Sequence, residues 1–480
     1  MDGERKKYLL IIASASFAAF MGKLDAYIVN ISLPTIAKAF HISTSEVSLV
    51  VISYLLFLTC TLLIFGKLSD RLGLKRIFIG GYVTFVAGSL LCGISGSLPA
   101  LVASRALQGT GGAMLATSAY AIIPTLLPRG ITGWGFGLLA TANALGVCIG
   151  APLGGFITGC YSWHGIFLVN IPLGILAILL ALKVIPADRP QKSGGRGFDF
   201  AGAALSFIAV VACMISLNRG HGAGWSSPLI IGGFLLAAVT GTAFIAIERR
   251  QRSPLLDLAI FRDRGFVLAV AASSIGYLYV SGISFLMPFY LQLVLGLTPQ
   301  GAGMVIMVFS VVFVLVGPSA GKLSDRVSPS LLCALSMASS TVATLFFLLV
   351  LPAKSLTLVI IFMIWIAVSF ALFFTPNNKL VMSGGTEGLK GSVAAFFNMS
   401  INLSITLGVC IFEVAYSSVL PAKGPGGDMP SGSSLLAGFS RAYLIGVIFC
   451  AVSGLLSLLC ASGKAGSTVG EEGAGLPPEG

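Results

Sequence analysis

The chain has 480 residues, a formal net charge of +12 at pH 7, 56% apolar residues and only 10% charged residues. A soluble domain normally carries charge on about 25% of its residues, so this composition excludes a water-soluble globular protein of the same length. The basic residues lie in short gaps between apolar runs, which is the charge pattern of membrane topology and argues against a nucleic-acid partner.

Apolar stretches long enough to cross a bilayer follow one another along the chain. Because an α-helix rises about 1.5 Å per residue, about 20 apolar residues are needed to cross roughly 30 Å of hydrocarbon. Fourteen segments meet this length, so we expect an all-α integral membrane protein. In chain order the predicted spans lie near residues 8–33, 46–66, 77–97, 99–124, 133–159, 164–185, 199–217, 226–248, 266–295, 300–318, 330–351, 355–384, 391–418 and 438–461.

The predicted spans group into two six-helix bundles with two extra helices between them. The N-terminal bundle takes residues 1–190, the linker and the two additional spans take 191–262, and the C-terminal bundle takes 263–462. Residues 463–480 are rich in Gly, Pro and Glu and should form a disordered cytoplasmic tail. Placing the N-terminus in the cytoplasm puts most of the 29 Lys and Arg residues on that side. We therefore expect a multi-pass protein of the inner (cytoplasmic) membrane with both termini cytoplasmic.

The first span contains two charged residues, Lys23 and Asp25. A charge near the bilayer centre costs on the order of 3 kcal/mol unless it faces a partner or a cavity. The rise of a helix places Asp25 at about the depth of Arg105 in the fourth span. We therefore expect Asp25 to be the principal proton-coupling carboxylate with Arg105 as its partner, although the residues alone also allow a static ion pair. Glu413, in the thirteenth span, is either a second titrating site or an interfacial residue.

An internal repeat links the second predicted span to the tenth. The segment GKLSDR at residues 66–71 recurs residue for residue at residues 321–326, as expected of two related bundles in the same orientation. The duplication favours a cytoplasmic gate over ordinary topogenic charge. The predicted gating residues are Gly66, Asp70, Arg71, Gly73, Gly321, Asp325 and Arg326.

The fifth predicted span carries a glycine face and a proline. Gly146, Gly150 and Gly154 recur every four residues, so a neighbouring helix can pack closely on them. Pro152 removes one backbone hydrogen bond and should bend the helix. With Gly155, these residues form a predicted helix-bend motif, for which simple packing and shaping of a cavity are compatible roles.

Polar side chains on the spans are candidates for lining a substrate cavity, although hydrogen bonding between helices explains each of them equally well. Lys23 could favour an anionic or zwitterionic substrate over a cation. The candidates are Lys23, Tyr27, Asn30, Gln108, Asn143, Tyr290, Gln292, Asn377, Asn378, Asn398 and Asn402.

The sequence contains no visible catalytic constellation. Its nine cysteines show no CxxC spacing, and its three histidines are far apart. Neither a metal site nor an activated nucleophile is therefore expected. No segment resembles a phosphate-binding Walker loop. We expect no enzymatic activity, no cofactor, and a proton gradient as the source of energy.

Several motifs resemble those of the major facilitator superfamily, and within it the 14-span drug/proton antiporters. Residues 66–76 are similar to the superfamily signature between spans 2 and 3, except that Leu74 stands where a basic residue is common. Residues 24–34, 105–112 and 146–155 resemble the first-, fourth- and fifth-span motifs of these exporters. The likeness extends over nearly the whole chain.

The resemblance implies a major facilitator fold and efflux of lipophilic, often cationic compounds in exchange for protons, by alternating access around a central cavity. We accordingly expect a monomeric proton-coupled antiporter whose partners are a small-molecule substrate, protons and the lipid bilayer. A proton-coupled uptake symporter and an exporter of one specific metabolite are alternatives on the same fold. A non-transporting membrane sensor is a remote alternative.

Overall fold

The computed structural model describes residues 2–188, 200–248, 261, 263–382, 390–420 and 432–468. These residues form α-helices and contain no strand. The helices are α1 (Asp2–Ala39), α2 (Thr44–Leu72), α3 (Leu74–Gly93), α4 (Leu98–Leu126), α5 (Arg129–Cys160), α6 (Gly165–Leu168), α7 (Asn170–Val184), α8 (Phe200–Ala223), α9 (Pro228–Glu248), α10 (Arg264–Phe289), α11 (Pro299–Arg326), α12 (Pro329–Val350), α13 (Leu356–Met382), α14 (Lys390–Ser417) and α15 (Gly432–Thr468).

Two short irregular segments extend the helices. A π-helical turn, Tyr290–Val294, continues α10, and a 3-10 turn, Leu351–Ala353, follows α12. The last helix reaches Thr468, beyond the predicted end of the last span. The rest of the predicted tail, residues 469–480, lies outside the described part of the chain, as does most of the predicted linker that begins the segment 191–262.

Twelve helical segments in the described residues are long and apolar enough to cross a membrane, whereas the sequence predicted fourteen. The two predicted spans that are not among these twelve correspond to α4 and α8. Helix α4 is long enough, but Arg105, Gln108 and its glycines lower its mean hydropathy. In α8 the described apolar stretch is Ala204–Gly220. The all-helical, multi-pass membrane architecture is thus as predicted, and the number of fourteen spans stays a prediction.

The described residues form two compact units. The first lies within residues 1–255, 282–310 and 409–439, and the second within 256–281, 311–408 and 440–480. In the first unit α1 packs on α5, α2 and α3 both pack on α4, and α8 packs on α9; in the second, α12 packs on α13. The domain boundaries drawn from the sequence stay a prediction.

The repeated hexapeptide forms the same local structure in both copies. Each copy lies in the last turns of a helix, α2 or α11, instead of in the loop that follows. In each copy the serine hydroxyl donates a 2.7 Å hydrogen bond to the carbonyl of the glycine three residues earlier, from Ser69 to Gly66 and from Ser324 to Gly321. The repeat therefore extends from sequence to backbone geometry.

The turn between α2 and α3 depends on Gly73 and on a carboxylate from a distant part of the chain. Gly73 has φ +103°, a conformation that favours glycine. The carboxylate of Asp188 accepts hydrogen bonds from the backbone N–H groups of Lys75 (2.8 Å) and Arg76 (3.1 Å) at the start of α3. A Cβ at Gly73 would come within 2.5 Å of the Asp188 side chain. The residue at 73 must therefore be glycine for two independent reasons.

The same turn also binds the end of α7. The ammonium group of Lys75 donates to the carbonyl oxygens of Leu182 (2.9 Å) and Ile185 (2.6 Å). The negative Asp188 thus binds backbone N–H groups at the N-terminus of α3, and the positive Lys75 binds backbone carbonyls at the C-terminus of α7. Both charges have the sign that the helix dipole favours at that end. We call these contacts the α3–α7 clip. It joins the segment after α7 to the turn that follows the hexapeptide.

The glycine face of α5 packs directly on α1. A Cβ at Gly146 would lie 2.6 Å from the carbonyl oxygen of Phe20, and one at Gly154 would lie 2.6 Å from that of Ile28. At Gly150 it would lie 2.7 Å from the Tyr27 Cβ. The three glycines thus allow backbone-to-backbone contact that no larger residue would permit.

We predict that Gly150→Ala destabilises the protein by about 1–3 kcal/mol, because the added methyl group must push α1 and α5 apart. The matched control is Gly137→Ala in the same helix, where a Cβ would meet nothing within 4 Å. The control should be neutral or slightly stabilising, since alanine favours helix more than glycine does. Thermal unfolding in detergent measures both, and equal melting temperatures for the two variants would contradict this packing.

Candidate functional site

The centre of the first unit holds an ion pair that is shielded from solvent. The side chains of Asp25 on α1 and Arg105 on α4 are 0% and 1% exposed, and Arg105 Nη1 lies 2.7 Å from Asp25 Oδ2. The sequence predicted this partnership from the depth of the two residues alone. The structure brings the two charges into direct contact. Their role in proton coupling stays a prediction.

Three neutral side chains complete the hydrogen bonding of this pair. Gln108 Nε2 and Asn170 Nδ2 donate to Asp25 Oδ1 at 2.8 and 2.9 Å. Gln108 also accepts a hydrogen bond from Arg105 Nη1 (2.6 Å) and donates to Ser89 Oγ (2.8 Å). The carboxylate thus accepts bonds on both oxygens from residues of two other helices, α4 and α7. We call Asp25, Arg105, Gln108, Asn170 and Ser89 the Asp25 network.

The guanidinium of Arg105 is also held from the other side by α2. Its Nε donates to the carbonyl oxygen of Val50 (3.1 Å), and its Cζ lies 4.1 Å from the ring centroid of Tyr54. A cation over an aromatic face is attracted by the ring quadrupole. These contacts fix the arginine by bonds that do not involve the carboxylate.

Glycines bring the helices close enough for these bonds to form. A Cβ at Gly109 would lie 2.3 Å from the carbonyl oxygen of Tyr54, so α4 and α2 meet at their backbones. A Cβ at Gly88 would lie 2.7 Å from the backbone of Gln108, so α3 meets α4 in the same way. The network therefore requires small residues in the motif that follows Arg105.

The arrangement can do one kind of chemistry well. Burying two charges costs several kcal/mol per ion, which a direct ion pair with additional hydrogen bonds offsets. Loss of the arginine contact, or arrival of a proton on the carboxylate, would upset that balance strongly. The charge on Asp25 is therefore stable only while Arg105 stays beside it.

Gln108 was predicted to line the substrate cavity, but the structure places it inside the Asp25 network with no exposed surface. Three other predicted cavity amides bond to backbone carbonyls. Their partners are Ile31 for Gln292 (2.8 Å), Leu139 for Asn143 (3.1 Å) and Asn398 for Asn402 (2.9 Å). In these three residues the amide N–H therefore donates to the backbone of a helix.

The remaining predicted cavity residues differ in exposure. Lys23, Asn378 and Asn398 are exposed, and Tyr27 and Asn30 are half-buried. Tyr290 and Asn377 are buried. Their role in lining a cavity stays a prediction.

Glu413 lies near the end of α14 in the first unit and is 0% exposed. Neither of its carboxylate oxygens makes a hydrogen bond of normal geometry among the described residues, although Ser45 and Ser417 lie beside it. The structure thus places this glutamate in the interior of the unit, where the sequence had left an interfacial position open.

The predicted gating residues are described only in part. In the second copy of the hexapeptide, Asp325 forms a 2.6 Å ion pair with Lys379, and Arg326 is exposed. The side chains of Asp70 and Arg71 in the first copy lie outside the described residues. Lys379, on α13, is a contact that the sequence did not predict.

The sequence analysis also missed two members of the network, Asn170 and Ser89. Asn170 belongs to the segment 162–172, which contains Trp163 and ends in a proline, but nothing in its spacing points to α1. Ser89 is one of many serines in apolar helices. The only available signal was their depth in the spans, which is not specific enough to select them. No group of three or more His, Cys, Asp or Glu residues suited to a metal occurs in the described part.

Comparisons with known proteins agree with this architecture. Residues 15–409 match the family model described as Major Facilitator Superfamily. The chain is 30% identical to the riboflavin transporter RibZ of Clostridioides difficile, over 87% of this chain and 90% of RibZ. It is 32% identical to the uncharacterized transporter YebQ of Escherichia coli (91% and 92%) and 28% identical to the multidrug resistance protein Stp of Mycobacterium tuberculosis (86% and 77%). Among solved structures, that of a D-xylose-proton symporter superimposes with a TM-score of 0.66 at 14% identity, over 94% of this chain and 97% of that one.

We predict that Arg105→Leu destabilises the protein by about 3–5 kcal/mol, because it leaves the buried Asp25 carboxylate without its counter-charge. Adding Asp25→Asn to Arg105→Leu should recover part of this loss, since the asparagine carries no charge. Thermal unfolding of the two variants measures the effect. A double variant no more stable than Arg105→Leu would show that the ion pair is not what stabilises this region.

Proposed function

The chain belongs to the major facilitator superfamily, and from this premise we propose that it exports small lipophilic or drug-like compounds across the inner membrane in exchange for protons. It is a multi-pass membrane transporter and not an enzyme. The observation that carries the proposal is the Asp25 network, a fully buried carboxylate paired with an arginine at the centre of one helical unit. No cofactor is needed, because the proton gradient supplies the energy.

The proposed cycle uses the two sets of contacts around Arg105. While Arg105 bonds to Asp25, the carboxylate is best satisfied without a proton. If helix movement during alternating access draws the guanidinium toward Val50 and Tyr54 alone, the carboxylate loses its counter-charge and takes up a proton. A return of the arginine then releases it. A substrate whose binding favours the arrangement with Arg105 beside Asp25 would drive the same release, which is the requirement for antiport.

Two further groups are assigned supporting roles. Glu413, buried and without a normal hydrogen bond on either oxygen, is a candidate for a second protonation site. The two hexapeptides, with the pair Asp325–Lys379 and the α3–α7 clip beside them, are candidates for the cytoplasmic gate. An ion pair at one mouth of a transporter biases the balance between its two open states.

We also propose fourteen spans with both termini in the cytoplasm, and a functional monomer. The twelve apolar segments leave out α4 and α8. Helix α4 has 29 residues and α8 has 24, and both lengths suffice to cross the hydrocarbon. Helix α8 also pairs with α9, so that the two form the extra pair between the six-helix bundles.

The main alternative is a transporter of one specific metabolite, in either direction. The 30% identity to RibZ, whose name specifies riboflavin, favours this alternative. The 28% identity to the multidrug resistance protein Stp favours export of many compounds. A proton-coupled uptake symporter uses the same fold. The exposed Lys23 would suit an anionic or zwitterionic substrate. A non-transporting sensor has no observation in its favour.

We predict that Asp25→Asn gives a folded protein that no longer couples substrate to protons, because asparagine has nearly the same size but cannot be ionised, while Arg105 keeps its bonds to Val50 and Gln108. A growth-inhibition survey with and without expression identifies the compound to use. Proton release on its addition to purified protein is then measured for wild type and variant. A variant that releases protons as wild type does cannot have lost its coupling site, and one that fails to fold instead indicates a static ion pair.

The topology can be tested separately with an impermeant thiol reagent in intact cells. In a background without native cysteines, we expect labelling of Gly96→Cys and Ser226→Cys, which lie in exposed segments after α3 and α8 on the outside. Lys192→Cys and Lys464→Cys should stay unlabelled until the cells are broken. Labelling of Lys192→Cys in intact cells, or protection of Ser226→Cys, would contradict fourteen spans with cytoplasmic termini.

A further inference from the structure

Three helices of the second unit place an aromatic cluster around Phe374. Its ring centroid lies 4.3 Å from that of Tyr277 on α10, 6.4 Å from Phe313 on α11, and 5.1 and 5.3 Å from Phe370 and Phe373 on α13. Phe370 and Phe373 are fully buried, whereas Tyr277 and Phe313 are half-buried. We call these five residues the Phe374 cluster. The rings that α13 contributes beside Phe374 are therefore buried, whereas those from α10 and α11 are partly exposed.

One turn further along α13 lies a buried amide that bonds to nothing in the described residues. Asn377 is 1% exposed, and both its Nδ2 and its Oδ1 lack a hydrogen-bond partner. At spacings of three and four residues it lies on the same side of the helix as Phe374 and Phe373. A buried amide with neither its donor nor its acceptor used is costly, and such a group calls for an explanation.

The helices that carry the Phe374 cluster have no charged residue in residues 265–289 of α10, 299–321 of α11 and 356–378 of α13. Charge begins just beyond Asn377, at Lys379 on α13 and Lys322 on α11, and the ammonium group of Lys379 is paired with Asp325. A purely structural core would be more stable with leucine at position 377, because leucine has a similar volume and no polar atom to leave unpaired. The amide is therefore better explained by a partner that is bound only part of the time.

We propose that the Phe374 cluster and Asn377 form a binding site for flat, uncharged aromatic compounds that carry a hydrogen-bond donor beside an acceptor on one edge. A carboxamide has one acceptor oxygen and one donor nitrogen, so it pairs in two parallel bonds with such an edge, as lactams, imides and amino-heteroaromatics present it. The rings of Tyr277 and Phe313 supply faces for stacking. This inference rests on the proposed transport function and specifies its substrate class.

Two probes that differ by one N-methyl group test the site. 1,8-Naphthalimide is flat, fluorescent and uncharged, and its imide edge has a donor between two acceptors; N-methyl-1,8-naphthalimide lacks the donor. Fluorescence titration of detergent-purified protein gives the affinity for each, with no membrane gradient. We expect the wild type to prefer the imide by about tenfold or more, because the methyl group removes the donor and also keeps the two edges apart, so that neither of the two parallel bonds forms.

Asn377→Leu should reduce this preference to about one while leaving the affinity for the methylated probe unchanged within about twofold. Its melting temperature without ligand should equal or exceed that of the wild type, because no satisfied bond is lost. The control is Thr357→Val, which removes an exposed polar group near the other end of α13 and should keep the tenfold preference. Phe313→Leu should weaken the binding of both probes alike, because it removes a stacking face.

Equal affinity of the wild type for the two probes would overturn the proposal. An unchanged preference for the imide in Asn377→Leu would overturn it as well. So would a marked loss of thermal stability in unliganded Asn377→Leu, since it would show that the amide has a structural partner. Because binding is measured without a gradient, probe discrimination with no proton coupling would reject the proposed antiport alone. Loss of discrimination with intact coupling would reject this site alone.

Discussion

The structure of the first unit depends on burying a carboxylate and a guanidinium together in a medium that solvates neither. Either charge alone would cost several kcal/mol in this environment, and their mutual attraction repays the cost only when the remaining donors and acceptors are also used. The Asp25 network meets this condition with Gln108, Asn170 and Ser89, each contributing a bond of 2.8–2.9 Å. Four helices must therefore stay within hydrogen-bond reach of one carboxylate or of its partners.

This requirement explains why glycines surround the pair. The side chains of the Asp25 network are short, so α3 and α2 can reach α4 only if their backbones nearly touch it, as they do at Gly88 and Gly109. Helix α1, which carries the aspartate, is held in turn by the glycine face of α5. In a bilayer, where lipid competes for apolar surface, such close contact is the main source of helix association. The charged pair can therefore form only because the glycine motifs allow the helices to pack closely.

The sequence predicted what repeats along one helix and missed what depends on a contact between distant segments. The membrane class, the glycine face of α5 and the equal depth of Asp25 and Arg105 follow from the rise and period of a helix. Asn170 and the α3–α7 clip do not, since Asp188 lies more than a hundred residues from the turn that it binds. The sequence did not place Gln108 beside Asp25, because polarity alone cannot tell a cavity-lining amide from one that bonds to a buried charge. The predicted span count exceeds the twelve apolar segments because α4 has the length of a span without its full hydropathy and the described apolar stretch of α8 is short.

Two buried polar residues, Asp25 in the first unit and Asn377 in the second, are used in opposite ways, and the difference has a physical consequence. The Asp25 carboxylate has several partners, so any change of its charge must be accompanied by movement of Arg105 and hence of α4. Asn377 has no hydrogen-bond partner among the described residues, so a ligand that satisfies it gains free energy without breaking a bond to any of them. A fully satisfied charge resists change until the helices move, whereas an unsatisfied neutral amide responds directly to a ligand. Proton coupling is therefore better placed on the first group and recognition of a neutral substrate on the second. A transporter arranged in this way would sense its substrate and its driving ion with different helices, and the link between the two events would have to be a movement of whole helices instead of competition at one shared carboxylate.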